Sequence, residues 1–270
     1  QARGAVLIYA RTRRSVEAWA RRLSEAGVEA IAYHAGMDPE SRALALAHFQ
    51  EHPAPVLVAT VAFGMGVDRP DVGLVLHLDL PSSAEGYLQE SGRAGRDGLP
   101  AECLVLFRPG DRTSLARAIR AGVREAGDDP EEQQRGELAQ QQLRRMEAVA
   151  EGSGCREQAL LLAVGELVPP CGRCDRCLAR PALVDWSQQA AAVLALLEQR
   201  SGLDVRSLGE ELAQADGDLG GDEGDRWRWL ARRLVQEDLL SESDDGSQRL
   251  WLKPAGRRFL QQPWSLKLAA

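Results

Sequence analysis

Residues 4–10, GAVLIYA, form a short apolar run that ends in a polar turn. A run of this length without polar alternation reads as a strand covered on both faces, the habit of parallel sheets. The chain on either side repeats the theme. From Ser15 to Ala26 the spacing of Val16, Trp19, Ala20 and Leu23 predicts a helix, and Gly27 stands where such a helix would end. EAIAYH (29–34) predicts a second strand, followed by a loop with Gly36 and a helix over Pro39 to Glu51. Three more apolar runs follow: PVLVAT (55–60), GLVLHLDL (73–80) and ECLVLF (102–107). Strands alternating with helices imply an α/β fold with a doubly wound parallel sheet, whose ligand site is expected at the carboxyl ends of the strands.

From about residue 126 the texture changes. GDDPEEQQRG (127–136) is polar and breaker-rich, and Glu137 to Glu151 is expected to be helical. A compact cysteine cluster comes next, and ARPALV (179–184) reads as a linker. Three helical segments follow, Ser187 to Gln199, Val205 to Ala213 and Asp225 to Glu237. LLSESDDGSQRLWLK (239–253) then supplies two strand-like arms around Asp244-Asp245-Gly246, a hairpin signal. Three helices and a hairpin make a winged-helix pattern. The expected domains are therefore 1–125, 126–182 and 183–270, with DGDLGGDEGD (216–225) as a mobile loop.

The 270 residues are 44% hydrophobic and 27% charged, an ordinary globular composition. No apolar run approaches the roughly 20 residues of a membrane-spanning helix, and the opening QARGAVLIYARTRR lacks a signal-peptide cleavage pattern, so a cytoplasmic protein without a membrane partner is expected. The net charge is −7, which does not announce a nucleic-acid binder. Yet residues 1–125 hold 15 basic and 15 acidic side chains, so the acidity lies downstream and any DNA contact must use a local patch. Lys253 and Lys267 are the only lysines.

Four of the five cysteines fall in the pattern Cys155-x15-Cys171-x2-Cys174-x2-Cys177. Tandem CxxC turns deliver several thiolates to one point, and Cys155 completes a tetrahedral shell of the kind Zn2+ takes. Four thiolates leave no open coordination position, so the expected metal is structural. A redox CxxC, unrelated buried thiols and an iron–sulfur cluster are the other readings. Cys103, in an apolar strand, is expected to be a small core residue.

Two segments carry candidate anion chemistry. In VLVATVAFGMGVDRP (56–70) a buried strand runs through Thr60 into Gly64-x-Gly66, with Asp68 beyond. Glycines there let backbone N–H groups approach an anion, and Asp68 is placed to hydrogen-bond a sugar hydroxyl. In QESGRAGRDG (89–98) Arg93 and Arg96 are three apart, so on a helical turn they share a face, with Gly92 and Gly95 clearing space beside them. Paired guanidiniums suit phosphoryl oxygens because each is a planar fork that stays charged. A solvated arginine face is the blander alternative.

In order along the chain, LIYARTRRSVEAWARRL, YHAGMDPESR, VLVATVAFGMGVDRPDV and YLQESGRAGRDGLPAEC resemble the motifs of the second RecA-like domain of superfamily 2 helicases. Together with CREQALLLAVGE and PCGRCDRC they are similar to RecQ DNA helicases. The resemblance covers residues 4 to 180, and the tail from 183 resembles the family's winged helix. It implies a RecA-like parallel sheet domain, a helical zinc-binding subdomain and a winged-helix domain. It implies that Arg93 and Arg96 act as arginine fingers on the ATP γ-phosphate, within a motif that includes Gln89 and Gly92. Thr60, Gly64, Gly66 and Asp68 are then expected to link nucleotide state to the DNA strand, and His34, Gly36 and Arg42 to track that strand. His34 is equally readable as a satisfied loop histidine. On the third winged-helix segment, Arg226, Arg228, Arg232 and Arg233 are candidates to face DNA. Trp227 is expected in the core, Trp251 more as core than as a strand-separating wedge, and the acidic tip at Asp244 and Asp245 would repel phosphate.

No G-x-x-x-x-G-K-[ST] phosphate loop exists around either lysine. Asp222-Glu223-Gly224-Asp225 mimics an acidic metal motif but follows Gly220-Gly221 instead of an apolar strand. The chain thus resembles the C-terminal half of a 3′–5′ RecQ helicase of DNA repair or recombination, acting on single strands and duplex junctions near the nucleoid. ATP and Mg2+ are expected only with the first RecA-like domain, and this stretch alone is expected to lack ATPase activity. The alternative is a zinc and winged-helix DNA-binding or regulatory protein with a non-catalytic RecA-like domain.

Overall fold

The computed structural model describes residues 4–63, 69–127, 129–179, 182–215, 221–243 and 247–269. They form two compact units, one of residues 1–115, 137–152 and 158–169, the other of 116–136, 153–157 and 170–270.

The first unit is built on five parallel strands: β1 (Ala5–Tyr9), β2 (Ala30–Tyr33), β3 (Val56–Ala59), β4 (Val72–His77) and β5 (Glu102–Val105), in the order β2-β3-β1-β4-β5. The opening apolar run becomes the central strand, and its alternate residues divide between two cores. Ala5, Leu7 and Tyr9 pack with Phe49, Leu57 and Phe63, while Ile8 and Ala10 pack with Val16, Ala20 and Val58. Helices α1 (Arg13–Glu25) and α2 (Pro39–Glu51) bring Val16 and Phe49 to these clusters, which is why the strands show no polar face.

Local chemistry sets the helix ends. Thr12 Oγ1 accepts the Ser15 N–H at the start of α1. At its end Gly27 takes φ +82° while the Val28 N–H reaches back to the Leu23 carbonyl, as expected of a glycine that closes a helix. Asp38 caps α2 through the Ser41 N–H, with Pro39 in the first turn. The expected helix over 39–51 is found with those limits.

After α3 (Ala84–Ser91) come α4 (Pro109–Ala126) and α5 (Pro130–Glu151), the second of which begins inside the breaker-rich stretch because Pro130 is tolerated in a first turn. The nearly buried pair Arg112–Glu147, 2.8 Å, ties the start of α4 to α5 within the first unit. Cys103 is exposed, contrary to the core expectation, because β5 is the edge strand of the sheet. Helix α6 (Arg156–Ala163) and the short α7 (Asp175–Ala179) flank the cysteine segment.

In the second unit, α8 (Ser187–Gln199), α9 (Val205–Ala215) and α10 (Gly221–Gln236) enclose a core of Leu194, Leu197, Leu208, Leu230, Leu234 and Phe259. Strands β7 (Leu240–Glu242) and β8 (Leu250–Leu252) pair antiparallel, giving the expected hairpin arms, and the tip at 244–246 lies outside the described residues. Two features depart from the expectation. Residues 183–185, read as linker, form β6 (Leu183–Asp185), which pairs antiparallel with β9 (Lys267–Ala269) after a further helix α11 (Pro254–Gln261). Residues 221–225, read as mobile loop, are the first turn of α10, whereas 216–220 lie outside the described residues.

Candidate functional site

The cysteine cluster is complete within one unit. The Sγ atoms of Cys155, Cys171, Cys174 and Cys177 all lie within 4.8 Å of one another, and Cys155 and Cys174 are 3.9 Å apart. Tetrahedral Zn–S bonds of about 2.3 Å place sulfurs about 3.8 Å apart, so the four thiols fit Zn2+. None forms a disulfide. Backbone N–H groups converge on the sulfurs: Cys171 donates to Cys155 Sγ at 3.2 Å, Arg156 to Cys174 Sγ at 3.4 Å and Arg173 to Cys171 Sγ at 3.5 Å. Burial raises the Cys174 thiol, but N–H donors of Arg156 and Cys177 and the neighbouring thiols outweigh it and bring the group down to about 6. Two ion pairs brace the loop against the start of α6, Arg156–Asp175 at 3.0 Å and Arg173–Glu157 at 2.8 Å.

The arginine segment is not helical, a correction to the expected shared face. Helix α3 is capped at its start by Ser83, whose Oγ accepts the Gly86 N–H, and stops at Ser91. Gly92 is its C-cap, and Gly95 takes φ +63°, where an added Cβ would lie 2.9 Å from the Leu99 carbonyl oxygen. The two glycines therefore end the helix and turn the chain. The Gly95 and Asp97 N–H groups then bond the Val72 and Pro70 carbonyls. Arg93 is half-buried, and its guanidinium lies beside the Tyr9 hydroxyl, at the end of β1. Its Nε is buried without a hydrogen-bond partner, and among the described residues Arg93 forms no ion pair. Burial pushes Tyr9 up to about 12, against the opposing pull of Arg93. Arg96 is exposed, its Nε donating to the Gly92 carbonyl at 3.3 Å, and Gln89 is exposed on α3.

Thr60 is buried just after β3, with its N–H bonded to the Tyr33 carbonyl, and Gly64, Gly66 and Asp68 lie outside the described residues. His34 is 5% exposed and its Nε2 sits 3.1 Å from Glu17 Oε1. Gly36 gives room to Arg13, whose Nη1 would stand 2.8 Å from an added Cβ, and Arg42 is half-buried on α2.

On α10 the arginines are largely committed to the unit itself. Arg226 lies 5.0 Å over the Trp186 ring, Arg228 binds Asp225 at 2.7 Å and packs on Gly209, and Arg233 is buried against Gln236 and Glu237. Arg232 is half-buried. Trp227 is in the core as expected, whereas Trp251 is 38% exposed and not a core residue, since β8 turns that side chain outward.

Three structural residues escaped the sequence reading. Arg69 donates to the Gln50, His52 and Pro53 carbonyls at the end of α2 and to both Asp71 oxygens, an arrangement that places a cation at a helix C-terminus. Buried His77 and the partly buried Glu90 form a pair, 2.6 Å, between β4 and α3. A histidine in the apolar run GLVLHLDL was the available signal for that pair.

Comparison with known proteins matches residues 1–98 to the helicase conserved C-terminal domain and residues 109–178 to the RecQ zinc-binding family. ATP-dependent DNA helicase RecQ of Haemophilus influenzae is 40% identical over 192 residues, 71% of this chain and 30% of that protein. The Bacillus subtilis protein of the same name is 34% identical, over 71% of this chain and 31% of its own length. ATP-dependent DNA helicase Q-like 2 of Arabidopsis thaliana is 32% identical over 87% of this chain and 33% of that protein. The chain thus spans about a third of the length of these relatives. Among solved structures, E. coli DEAD-box protein SrmB bound to RraA aligns over 44% of this chain and 71% of that chain at 30% identity, with a TM-score of 0.39. With the four-cysteine cluster matching the zinc-binding region in both sequence and geometry, the metal is structural Zn2+. Over these regions the chain belongs to the RecQ helicase family, carrying its conserved C-terminal helicase domain followed by its zinc-binding region.

Proposed function

We propose that the chain is the C-terminal portion of an ATP-dependent 3′–5′ DNA helicase that unwinds DNA in repair or recombination when joined to a RecA-like lobe bearing a phosphate loop. The observation that carries this reading is Arg93: a half-buried guanidinium beside Tyr9, with an unpartnered Nε and no ion pair among the described residues. Such a group is suited to meet an anion supplied from elsewhere. The division we assign is a RecA-like domain over 1–125, a helical zinc-binding domain over 126–182 and a winged helix over 183–270.

In this reading Arg93 and Arg96 stabilise charge on the γ-phosphate, with Gln89 and Gly92 in the same motif. Gly64, Gly66 and Asp68 approach the nucleotide, and Thr60, Gly36 and Arg42 serve the DNA strand. For His34 the enclosure and the Glu17 partner favour ordering the loop over touching DNA. The commitments of Arg226 and Arg228 within their own unit leave them a minor share of any DNA contact, with Arg232 beside them. On this reading the protein works in the cytoplasm with the nucleoid.

The test is DNA-stimulated ATP hydrolysis by the 270 residues alone and joined to a phosphate-loop lobe. Hydrolysis is expected only in the joined protein and is expected to fall with Arg93→Ala. Hydrolysis by the chain alone overturns the reading. Indifference of the joined protein to Arg93→Ala favours the non-catalytic DNA-binding alternative.

A further inference from the structure

Glu90 stands three residues before Arg93, and the Arg93 N–H bonds the Glu90 carbonyl at 3.4 Å, an i→i+3 turn at the close of α3 that turns residues three apart toward the same side. Opposite charges three apart on such a turn are placed to pair. Both groups act on the Tyr9 hydroxyl, Arg93 lowering its pKa by charge and hydrogen bonding and Glu90 raising it through space by its charge. Yet among the described residues no ion pair joins them. The Glu90 carboxylate is instead taken by His77, whose Nε2 lies 2.6 Å away, with side chains 4% and 14% exposed.

His77 is held in that position from two sides. Its ring stacks on Tyr9 at 5.1 Å and 21°, and Tyr87 of α3 packs on it at 5.1 Å. The ring's Nδ1 is buried with no partner, so its hydrogen bonding in this cluster is directed at Glu90. Tyr9 in turn is anchored by donating its O–H to the Phe63 carbonyl at 3.2 Å. A buried histidine thus holds the carboxylate of Glu90 and stacks on the phenol of Tyr9, the two neighbours that act on the same point as Arg93.

We propose that His77 and Tyr9 are positioning residues for Arg93: His77 occupies the Glu90 carboxylate so that it does not close onto the guanidinium, and Tyr9 braces the guanidinium for an incoming anion. The assignment rests on Arg93 being the group that meets phosphate. A guanidinium neutralised by its own neighbour has little charge left to offer a transition state, and one free to swing is misplaced when needed.

The test uses phenylglyoxal labelling of Arg93, followed by peptide mass spectrometry on the chain itself, because the reagent attacks an unpaired guanidine faster than one held by a carboxylate. His77→Phe keeps the ring between the two tyrosines and removes the bond to Glu90. Labelling of Arg93 is expected to slow roughly two- to threefold, the scale of a partly exposed ion pair. The double variant His77→Phe/Glu90→Gln is expected to return to the wild-type rate, a rescue that a purely structural histidine would not give. Wild-type labelling in His77→Phe, or a double variant as slow as the single, overturns the proposal. Tyr9→Phe deletes one oxygen and little volume, and serves where His77→Phe does not fold. It is expected to raise Arg93 labelling while lowering the thermal midpoint only by the loss of the buried bond to Phe63, and an unchanged rate again overturns the assignment. If instead labelling responds as expected while Arg93→Ala leaves ATP turnover of the joined protein intact, the helicase reading fails and the positioning network stands.

Discussion

The cysteine cluster and the arginine turn differ in how much of a site each contains. Residues 155–177 bring all four ligands, the N–H donors to the sulfurs and two bracing ion pairs, so nothing outside the segment is needed. The segment from Ser83 to Gly98 brings two arginines and a turn set by Gly92 and Gly95, and on the proposed reading the groups that grip the far side of a triphosphate belong to another lobe. A structural site is self-contained because its role is to hold one fold together. A transfer site divided between lobes ties chemistry to the lobes' closure, and on the proposed reading that is its use.

The largest effect expected is at the closed site. Cys174→Ser is expected to release zinc and leave residues 155–179 open to proteolysis, since structural zinc contributes on the order of 10 kcal/mol in small domains. Metal analysis and limited proteolysis check this, and a zinc-free segment that resists protease would mean that the braces suffice. At the proposed nucleotide site, Arg93→Ala in the joined protein is expected to lower ATP turnover on the order of 10³-fold with the melting temperature kept, the scale of arginine fingers in NTPases. A loss of only severalfold would make Arg93 a supporting group.

Smaller effects sharpen the same contrast by testing the scaffolds. Ser83→Ala removes the α3 cap and is expected to cost about 1 kcal/mol in urea unfolding, with a looser arginine turn and zinc content unaltered. The smallest effect concerns Asp71, whose carboxyl is held below its ordinary value by hydrogen bonds from Arg69. Because the folded pKa is the depressed one, this stabilisation is fully present above the unfolded value of about 4 and is lost as the pH falls through the folded value. The urea midpoint of Asp71→Asn is therefore expected to lie below wild type near neutrality and to converge with it in acid; parallel curves would rule out the linkage.

Much of the layout was legible in local pattern. GAVLIYA announced a strand covered on both sides, and β1 proves central with its odd and even residues feeding separate cores. The spacing of Cys155, Cys171, Cys174 and Cys177 announced a tetrahedral shell because short loops must bring those sulfurs together. Where the reading erred, the deciding contact lay far along the chain. Residues 183–185 look like linker because their strand partner is 267–269. Cys103 looks like core because strand hydropathy does not tell which strand is the sheet's edge. Arg93 and Arg96 look like one helical face, yet Gly92 and Gly95 end the helix between them.

By itself the sequence determined which residues form elements, where four sulfurs meet and which family the chain resembles, since these follow from periodicity, short-range spacing and motif order. Only the tertiary structure decided that Glu90 belongs to His77 and Arg93 to Tyr9. Residues 9, 77 and 90 come together through strand pairing and helix packing, and no short-range pattern encodes which of two oppositely charged neighbours a carboxylate will choose. That choice is made by burial, which strengthens whichever pair the fold encloses.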